Sequence, residues 1–271
     1  MRRLKTALTI AGSDSGGGAG IQADLKTFTA FGVYGMTVIT SVTAQNTLGV
    51  LEIHDLPAAF VSRQLEAVLS DLPVDAAKTG MLSNADIVRG VAARLREQEV
   101  KNLVVDPVMV AKSGHRLLRE EALKALRDEL LPLASVVTPN LPEAEVLTGR
   151  KISGPEEMRR AAESIRTLGP AHVLIKGGHL QGRAVDILFD GSDFTELLAD
   201  RVSTRHTHGT GCTLSAAIAA LLATGLTVTE AVIVAKDFIT RAIREAPGLG
   251  HGHGPLNHFV KPKKAEHRSS P

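Results

Sequence analysis

The chain has 271 residues, a formal net charge of +2, 44% hydrophobic residues and a single cysteine. So small a net charge gives no electrostatic reason to expect a nucleic acid or an acidic membrane surface as partner, and one cysteine excludes an internal disulfide framework. The apolar stretches are too short or too interrupted to span a bilayer. We therefore expect a soluble, cytoplasmic protein that binds neither nucleic acid nor membranes.

Short apolar runs alternate with longer helical patterns along the chain. The runs predict buried parallel strands at residues 7–11, 37–42, 76–79, 103–106, 135–138 and 173–176. The helical patterns lie at residues 21–30, 58–70, 85–98, 120–130, 156–168, 213–223 and 229–245. Asn84 and Thr229 stand where N-caps belong, and Pro155 stands near a helix start.

The alternation predicts an α/β fold with a central, mostly parallel, doubly wound sheet. A hairpin is expected where residues 183–189 and 194–198 flank Asp190-Gly191. No linker-like stretch divides the chain, so residues 1–271 are predicted to form one domain, with a flexible basic tail at 261–271. In such sheets ligands bind beyond the carboxyl ends of the strands. Glycine, amide and charged residues follow each predicted strand, which places a site there.

The glycine-rich loop at residues 12–20 follows the first strand. Its continuation, residues 18–23, matches the dinucleotide pattern G-x-G-x-x-A. The second predicted strand, however, leads into Thr43-Ala-Gln-Asn46 and not into an acid that could bind a ribose. The loop therefore indicates a backbone that lies close to a small ligand, with a plain turn as the alternative.

Residues 209–212, Gly-Thr-Gly-Cys, lead directly into the apolar helix predicted at 213–223. Uncovered N–H groups at the positive end of a helix dipole form a site for anions. Cys212 lies in the first turn, where we expect its pKa to be depressed toward the thiolate. The alternative is a helix-entry turn with Cys212 as a small buried filler.

Polar side chains end the later strands. Asp106, Asn140 and Glu143 offer oxygen ligands that suit Mg²⁺ held largely through water and phosphates, although Asn140 could simply cap a helix. Lys176 is placed to meet phosphate charge, although an ion pair with an acid is the alternative. Gln45 offers a donor beside an acceptor, which suits an aminopyrimidine-like ring edge, although for Gln45 taken alone a surface glutamine is the preferred interpretation.

Several histidines near the C-terminus invite a metal-site interpretation. His251 and His253, with His258, His206 and His208, lack the i, i+4 spacing and any nearby cysteine or pair of acids. A structural loop, or a loop that closes over substrate, is the preferred interpretation.

Seven motifs occur in the order of one known family, at residues 11–26, 38–47, 78–82, 106–114, 138–145, 176–179 and 206–215. Together they resemble the hydroxymethylpyrimidine/phosphomethylpyrimidine kinases of thiamine biosynthesis, in the ribokinase-like superfamily. The resemblance implies ATP- and Mg²⁺-dependent phosphorylation of 4-amino-5-hydroxymethyl-2-methylpyrimidine, and then of its monophosphate. It also implies a ribokinase-like fold of three layers, α/β/α, and a homodimer.

The resemblance also assigns roles to residues. It implies that Gln45 reads the aminopyrimidine edge, and that the remaining substrate contacts are Ala19, Met81, Val108, Gly12 and Asp24. The anion hole for the transferred phosphoryl group would be formed by Gly209, Thr210 and Gly211, with Cys212 as the base. The groups that manage ATP and its metal would be Lys176, Asn140, Glu143 and Thr207, with Asp106 and Glu143 toward the metal.

Three rivals are weighed against this interpretation. A pyridoxal or pyridoxine kinase also acts on a hydroxymethyl group of a heteroaromatic ring, and Gln45 with Met81 argues against it. A nicotinamide-dependent oxidoreductase lacks its ribose-binding acid. A catalytically inactive binding protein is disfavoured because Asn140, Glu143, Lys176 and residues 209–212 are all present.

Overall fold

The computed structural model describes residues 3–109, 120–178 and 184–263, and within them nine strands form one sheet. In chain order the strands are β1 (Thr6–Asp14), β2 (Tyr34–Gln45), β3 (Val50–Asp55), β4 (Ala76–Thr79), β5 (Leu103–Val105), β6 (Val136–Val137), β7 (His172–Lys176), β8 (Ala184–Phe189) and β9 (Phe194–Ala199). Their spatial order is β3-β2-β1-β4-β5-β6-β7-β8-β9. Strands β1, β2 and β4 to β7 are parallel, whereas β3, β8 and β9 are antiparallel additions at the two edges.

Helices cover both faces of this sheet. In chain order they are α1 (Gly20–Ala30), α2 (Ala58–Leu69), α3 (Ala85–Glu97), α4 (Glu120–Ala125), α5 (Leu141–Thr148), α6 (Pro155–Arg166), α7 (Thr210–Ala223) and α8 (Val228–Arg244). Buried side chains of α2 to α6 form one apolar core, and those of α1, α7 and α8 form the other. The predicted three-layer, doubly wound arrangement is confirmed.

Helix α7 is buried along most of its length, from Thr213 to Ala223. Its many alanines let it lie close to the sheet, where it packs across β1, β4 and β5 and between α1 and α8. The helix therefore enters the fold as a rigid rod whose first turn lies at the carboxyl ends of the central strands. That first turn contains the glycine loop singled out by the sequence.

Most predicted elements are confirmed, with differences at particular residues. Asn84 caps α3 by accepting a hydrogen bond from the Ile87 N–H, but Thr229 is not a cap. Thr227 holds that position instead, because its hydroxyl and Glu230 form a reciprocal capping box. Strand β3 was not predicted, and of helix α5 only a start capped by Asn140 was expected. The predicted helix at 120–130 continues as a π-helix after Ala125.

Parts of three predictions lie outside the described residues. These are the first residue of the hairpin (183), residues 264–271 of the predicted tail, and the ends of two motifs (110–114 and 179). Among the described residues, no helix combines the length and apolar character needed to cross a membrane.

Candidate active site

A cleft of about 910 Å³ opens at the carboxyl ends of the parallel strands. It lies beside β1 and β4, between which the strand order reverses. Ligands bind at such a topological switch point in open α/β sheets. Every predicted site residue except Asp24 lines it: Gly12, Ala19, Gln45, Met81, Asp106, Val108, Asn140, Glu143, Lys176, Thr207, Gly209, Thr210, Gly211 and Cys212. The fold thus gathers residues from seven separate stretches of sequence into one cavity.

Asp24 lies outside the cleft lining, so this geometry gives the predicted substrate contact no support. Its side chain is fully buried and pairs with the equally buried Lys78, whose Nζ is 2.8 Å from Asp24 Oδ2. The Thr9 hydroxyl donates a second hydrogen bond, of 2.6 Å, to the same oxygen. Asp24 belongs to α1 and faces the sheet, so its carboxylate ties the helix to β1 and β4.

The two glycine-rich loops lie directly against one another. Gly209, the N-cap of α7, has a φ of 80°, and a Cβ atom there would lie 1.8 Å from the Gly18 carbonyl oxygen. A Cβ on Gly18 would lie 2.5 Å from His208 Cδ2. Only glycine fits at either position without moving the opposite loop. Helix α7 therefore begins at the wall of the cleft. The N–H groups of its first turn have no acceptors within the helix.

Lys176 brings a positive charge to the first turn of α7. Its Nζ is 3.0 Å from Asp106 Oδ1, and it lies within 3.3 Å of the position that a Cβ on Gly211 would occupy. Burial by itself lowers the pKa of Lys176, but the charges of Asp106 and Glu143 outweigh burial and raise it. The lysine therefore keeps its positive charge. It forms the ion pair that was the alternative interpretation, and the phosphate contact stays a prediction.

Asn140 and Glu143 form a capping box at the start of α5. The Glu143 N–H donates to Asn140 Oδ1 at 2.9 Å, and the Asn140 N–H donates to Glu143 Oε2 at 2.8 Å. Capping is thus one established role of Asn140, and it orients both side chains at the cleft. Burial, and next the charge of Asp106, raise the pKa of Glu143 to about 7 against the opposing effect of Lys176.

Cys212 departs from expectation, because the expected depression of its pKa is wrong. Burial raises the pKa of the thiol to about 11, and the carboxylates of Asp24 and Asp106 add to this effect. Lys78 and the Gly20 N–H act in the opposite direction but do not compensate. The side chain still lines the cleft, so the protein holds a neutral thiol beside its anion site.

Sequence reasoning missed the roles of Asp14 and His208. The carboxylate of Asp14 accepts hydrogen bonds from the backbone N–H groups of Gly16, Gly18 and Ala19, and so fixes the glycine-rich loop. His208 Nε2 lies 2.8 Å from Asp14 Oδ2. Both residues line the cleft. The available signal was the position of His208 immediately before the second glycine loop.

Two of the other described histidines have partners of their own. His258 is buried against the Thr213 hydroxyl, 2.9 Å away, and burial lowers its pKa to about 4. His253 Nδ1 lies 3.2 Å from the Arg205 carbonyl oxygen. The backbone N–H of His208 donates to Gly254, so the loop at 250–255 braces the anion site.

A second arm of the cleft was not predicted at all. It runs from Lys176 past β8 and β9 to α8, and its walls include the apolar side chains of Ala184, Val202, Ile239 and Ile243. Ile239 and Ile243 lie about one turn apart on α8, and Ile239 also belongs to the buried stripe of that helix. Helical periodicity alone does not distinguish apolar residues of the core from those that line a cleft.

Comparisons with known proteins agree with this geometry. Residues 14–257 match the family model described as phosphomethylpyrimidine kinase. A hydroxymethylpyrimidine/phosphomethylpyrimidine kinase of Rhizobium meliloti is 58% identical over 257 residues, which cover 93% of this chain and 96% of the relative. The thiamine biosynthesis bifunctional protein ThiED of Geobacter sulfurreducens is 56% identical over 256 residues, 94% of this chain, but the chain spans only about half (52%) of that protein.

Solved structures show the same fold. A Bacillus subtilis pyridoxal kinase in complex with ADP superimposes with a TM-score of 0.89 at 44% identity, covering 94% of this chain and 98% of the other. A phosphomethylpyrimidine kinase from Clostridium difficile 630 gives a TM-score of 0.80 at 50% identity, covering 89% and 100%.

Proposed function

Because the chain belongs to the phosphomethylpyrimidine kinase family, we propose that it phosphorylates hydroxymethylpyrimidine with ATP, and then phosphorylates the monophosphate to the diphosphate. This proposal rests mainly on one observation: the residues predicted to contact a heteroaromatic ring and those predicted to bind an anion line the same cleft. Gln45, Met81 and Val108 line the cleft together with the Gly209–Gly211 turn and Lys176. The arrangement allows a ring-borne hydroxymethyl group to lie at the point where a phosphoryl group is neutralised.

The second arm of the cleft is the proposed place of the nucleotide. Its apolar walls suit a flat base, and it ends at Lys176 and the first turn of α7, where phosphates would meet N–H groups and a fixed cation. A neighbour with 44% identity binds ADP, which supports ATP as the phosphoryl donor. Asn140, Glu143 and Thr207 line the same cleft.

The residues present fit Mg²⁺. Asp106 and Glu143 are two buried carboxylates with Lys176 as their cation, and Asp106 contributes to the raised pKa of Glu143. A divalent cation would relieve that repulsion. Among the described residues no three metal-binding side chains form a cage, and Mg²⁺ is usually bound through one or two carboxylates and substrate phosphates. When bound, Mg²⁺ would neutralise charge on the transferred phosphoryl group.

The second candidate is a pyridoxal kinase, favoured by the high structural similarity to the Bacillus enzyme. The purified protein would be incubated with Mg-ATP and hydroxymethylpyrimidine, or with pyridoxal, and the products identified by mass spectrometry. We expect pyrimidine monophosphate and diphosphate with little pyridoxal phosphate. Pyridoxal phosphate as the sole product would contradict the proposal and with it the assignment of Gln45 and Met81.

Cys212 is the proposed base that accepts the hydroxymethyl proton. Burial raises the pKa of its thiol to about 11, and a protonated thiol cannot accept a second proton. Cys212 would therefore first release its own proton to solvent, and the resulting thiolate would accept the hydroxymethyl proton as the phosphoryl group is transferred. We expect Cys212→Ala to lower kcat about a hundredfold, the low end for loss of a general base, and to change KM for the pyrimidine less than about threefold. The measurement is steady-state ADP release, with Cys212→Ser as the matched control. An unchanged kcat would rule out the base role.

A homodimer in the cytoplasm completes the proposal. Both assignments rest on resemblance to the family, and sedimentation of the purified chain would test the first.

A further inference from the structure

We propose that His208 is a specificity-determining residue, because its Nε2–H fixes which end of the Gln45 amide faces each side of the cleft. The amide oxygen is then held on the His208 side and the amide nitrogen on the Thr43 side. A ring is selected when it presents a donor toward His208 and an acceptor toward Thr43. This inference rests on the proposed function for its choice of ring chemistry.

The contact between His208 and Asp14 determines which ring nitrogen of His208 carries a proton. Asp14 Oδ2 lies 2.8 Å from His208 Nε2 and already accepts the N–H groups of Gly18 and Ala19. Burial by itself raises the pKa of Asp14, but the hydrogen bond and charge of His208, and next the backbone N–H groups, hold it below its ordinary value. Asp14 is thus a carboxylate that can only accept, so Nε2 carries the proton.

The Gln45 amide makes the second contact with the His208 ring. Gln45 Nε2 lies 3.2 Å from His208 Nε2, which sets two N–H donors against each other. At the other end, the Thr43 hydroxyl lies 3.0 Å from the Ser13 carbonyl oxygen and 3.1 Å from Gln45 Oε1, yet it has one proton for two acceptors.

A half-turn of the amide about its last bond removes the contact between two donors and leaves the Thr43 proton to Ser13. The single Nε2 proton of His208 is then shared between Asp14 Oδ2, 2.8 Å away, and the amide oxygen in the position 3.2 Å away, while the amide nitrogen donates to Thr43 Oγ1. One lone pair of the oxygen and one N–H stay free toward the cleft. Their order is fixed, since the reverse order restores two mismatched contacts.

The anchor itself is rigid. The backbone N–H of His208 donates to Gly254 at 3.1 Å, and the Gly18 backbone lies against the ring, because a Cβ there would be 2.5 Å from Cδ2. The His208 side chain is only 13% exposed. A ring held in this way can transmit a preference to Gln45 without contacting the substrate.

The experiment compares two rings of opposite edge polarity. Calorimetry without ATP measures the binding of 4-amino-5-hydroxymethyl-2-methylpyrimidine and of its 4-oxo analogue. The amino ring presents an exocyclic donor beside a ring-nitrogen acceptor, whereas the oxo ring presents an exocyclic acceptor beside a ring N–H donor. We expect wild type to prefer the amino ring. His208→Leu should reduce that preference about fivefold, the worth of one ordinary net hydrogen bond.

Three further variants make the test specific. His208→Gln places an amide N–H near the position of Nε2 and should retain most of the preference, whereas Thr43→Val removes the second anchor and should reduce it. His172→Leu alters a histidine that does not line the cleft, whose Nδ1 lies 3.0 Å from the Ser135 carbonyl oxygen, and should leave the ratio unchanged. If His208→Leu does not fold, the His208→Gln and Thr43→Val proteins still decide the question.

The outcomes separate this inference from the proposed function. Equal binding of both rings by wild type overturns the role of His208. So does a ratio of the two affinities that is unchanged in His208→Leu, or in Thr43→Val if His208→Leu does not fold. A ratio lost equally in His208→Leu and His208→Gln also overturns it, because the donor would then be irrelevant. A retained binding preference without any phosphorylated product refutes only the proposed kinase reaction.

Discussion

Lys176→Met is expected to lower kcat about a thousandfold, the upper range for loss of one charge-stabilising donor. In the proposed reaction Lys176 is the cation beneath the first turn of α7, and its Nζ is 3.0 Å from Asp106 Oδ1. Phosphoryl transfer depends mainly on positioning and on stabilising charge over the phosphoryl oxygens. Loss of this charge should therefore cost more than loss of the base at Cys212. Steady-state ADP release with saturating pyrimidine gives the measurement.

The control for this variant must separate lost charge from lost folding. Lys176→Met leaves the Asp106 carboxylate, 2% exposed, without its cation, and an unpaired buried charge destabilises the fold. The double variant Lys176→Met/Asp106→Asn removes both charges and should melt nearer to wild type while remaining inactive. A Lys176→Met protein with normal melting and kcat within tenfold of wild type would show that the phosphoryl charge is neutralised elsewhere.

The central strands were predictable from sequence, but an edge strand was not. Strand β3, Val50–Asp55, contains no fully buried side chain, so its composition carries little of the apolar signal that identifies the inner strands. The extent of helix α5 was not predicted beyond its cap at Asn140 for a related reason, since the helix has only eight residues and begins with Leu-Pro. Periodicity needs a longer window than these segments provide.

The site was predictable as a set of residues and less so as a set of charges. Strand ends and glycine loops correctly located the cleft, because the carboxyl ends of parallel strands meet at one edge. The pKa of Cys212 is raised first by burial and then by Asp24 and Asp106, which are distant in sequence and converge only through packing of α1, α7 and β5. A local rule about helix N-termini could not anticipate two buried carboxylates.

Asp24 shows the same limitation from the other direction. Its motif suggested a substrate contact, whereas the partner that decides its role, Lys78, lies 54 residues away on β4. Only the fold reveals that both side chains are fully buried. This pair makes a testable contribution to stability.

Lys78→Met should lower the free energy of unfolding by about 3–5 kcal/mol, the usual cost of removing one partner of a buried ion pair. Asp24 would keep the Thr9 hydroxyl but lose the Nζ contacts of 2.8 and 3.1 Å. Urea unfolding at pH 7 gives the measurement. Lys124→Met, which removes an exposed pair with Asp128, is the matched control and should cost no more than about 0.5 kcal/mol.

The pH dependence of the Lys78→Met protein identifies Asp24 as the cause. Burial already raises the pKa of Asp24 beside Lys78, and loss of the lysine raises it further. A carboxyl with a folded-state pKa above its unfolded value favours folding most at low pH, and that contribution disappears as the pH rises through the folded pKa. The deficit should therefore shrink on acidification. In Asp24→Asn/Lys78→Met it should be smaller and nearly independent of pH, since neither charge remains; an equal deficit in both proteins would place the cost in packing around the Lys78 stem instead.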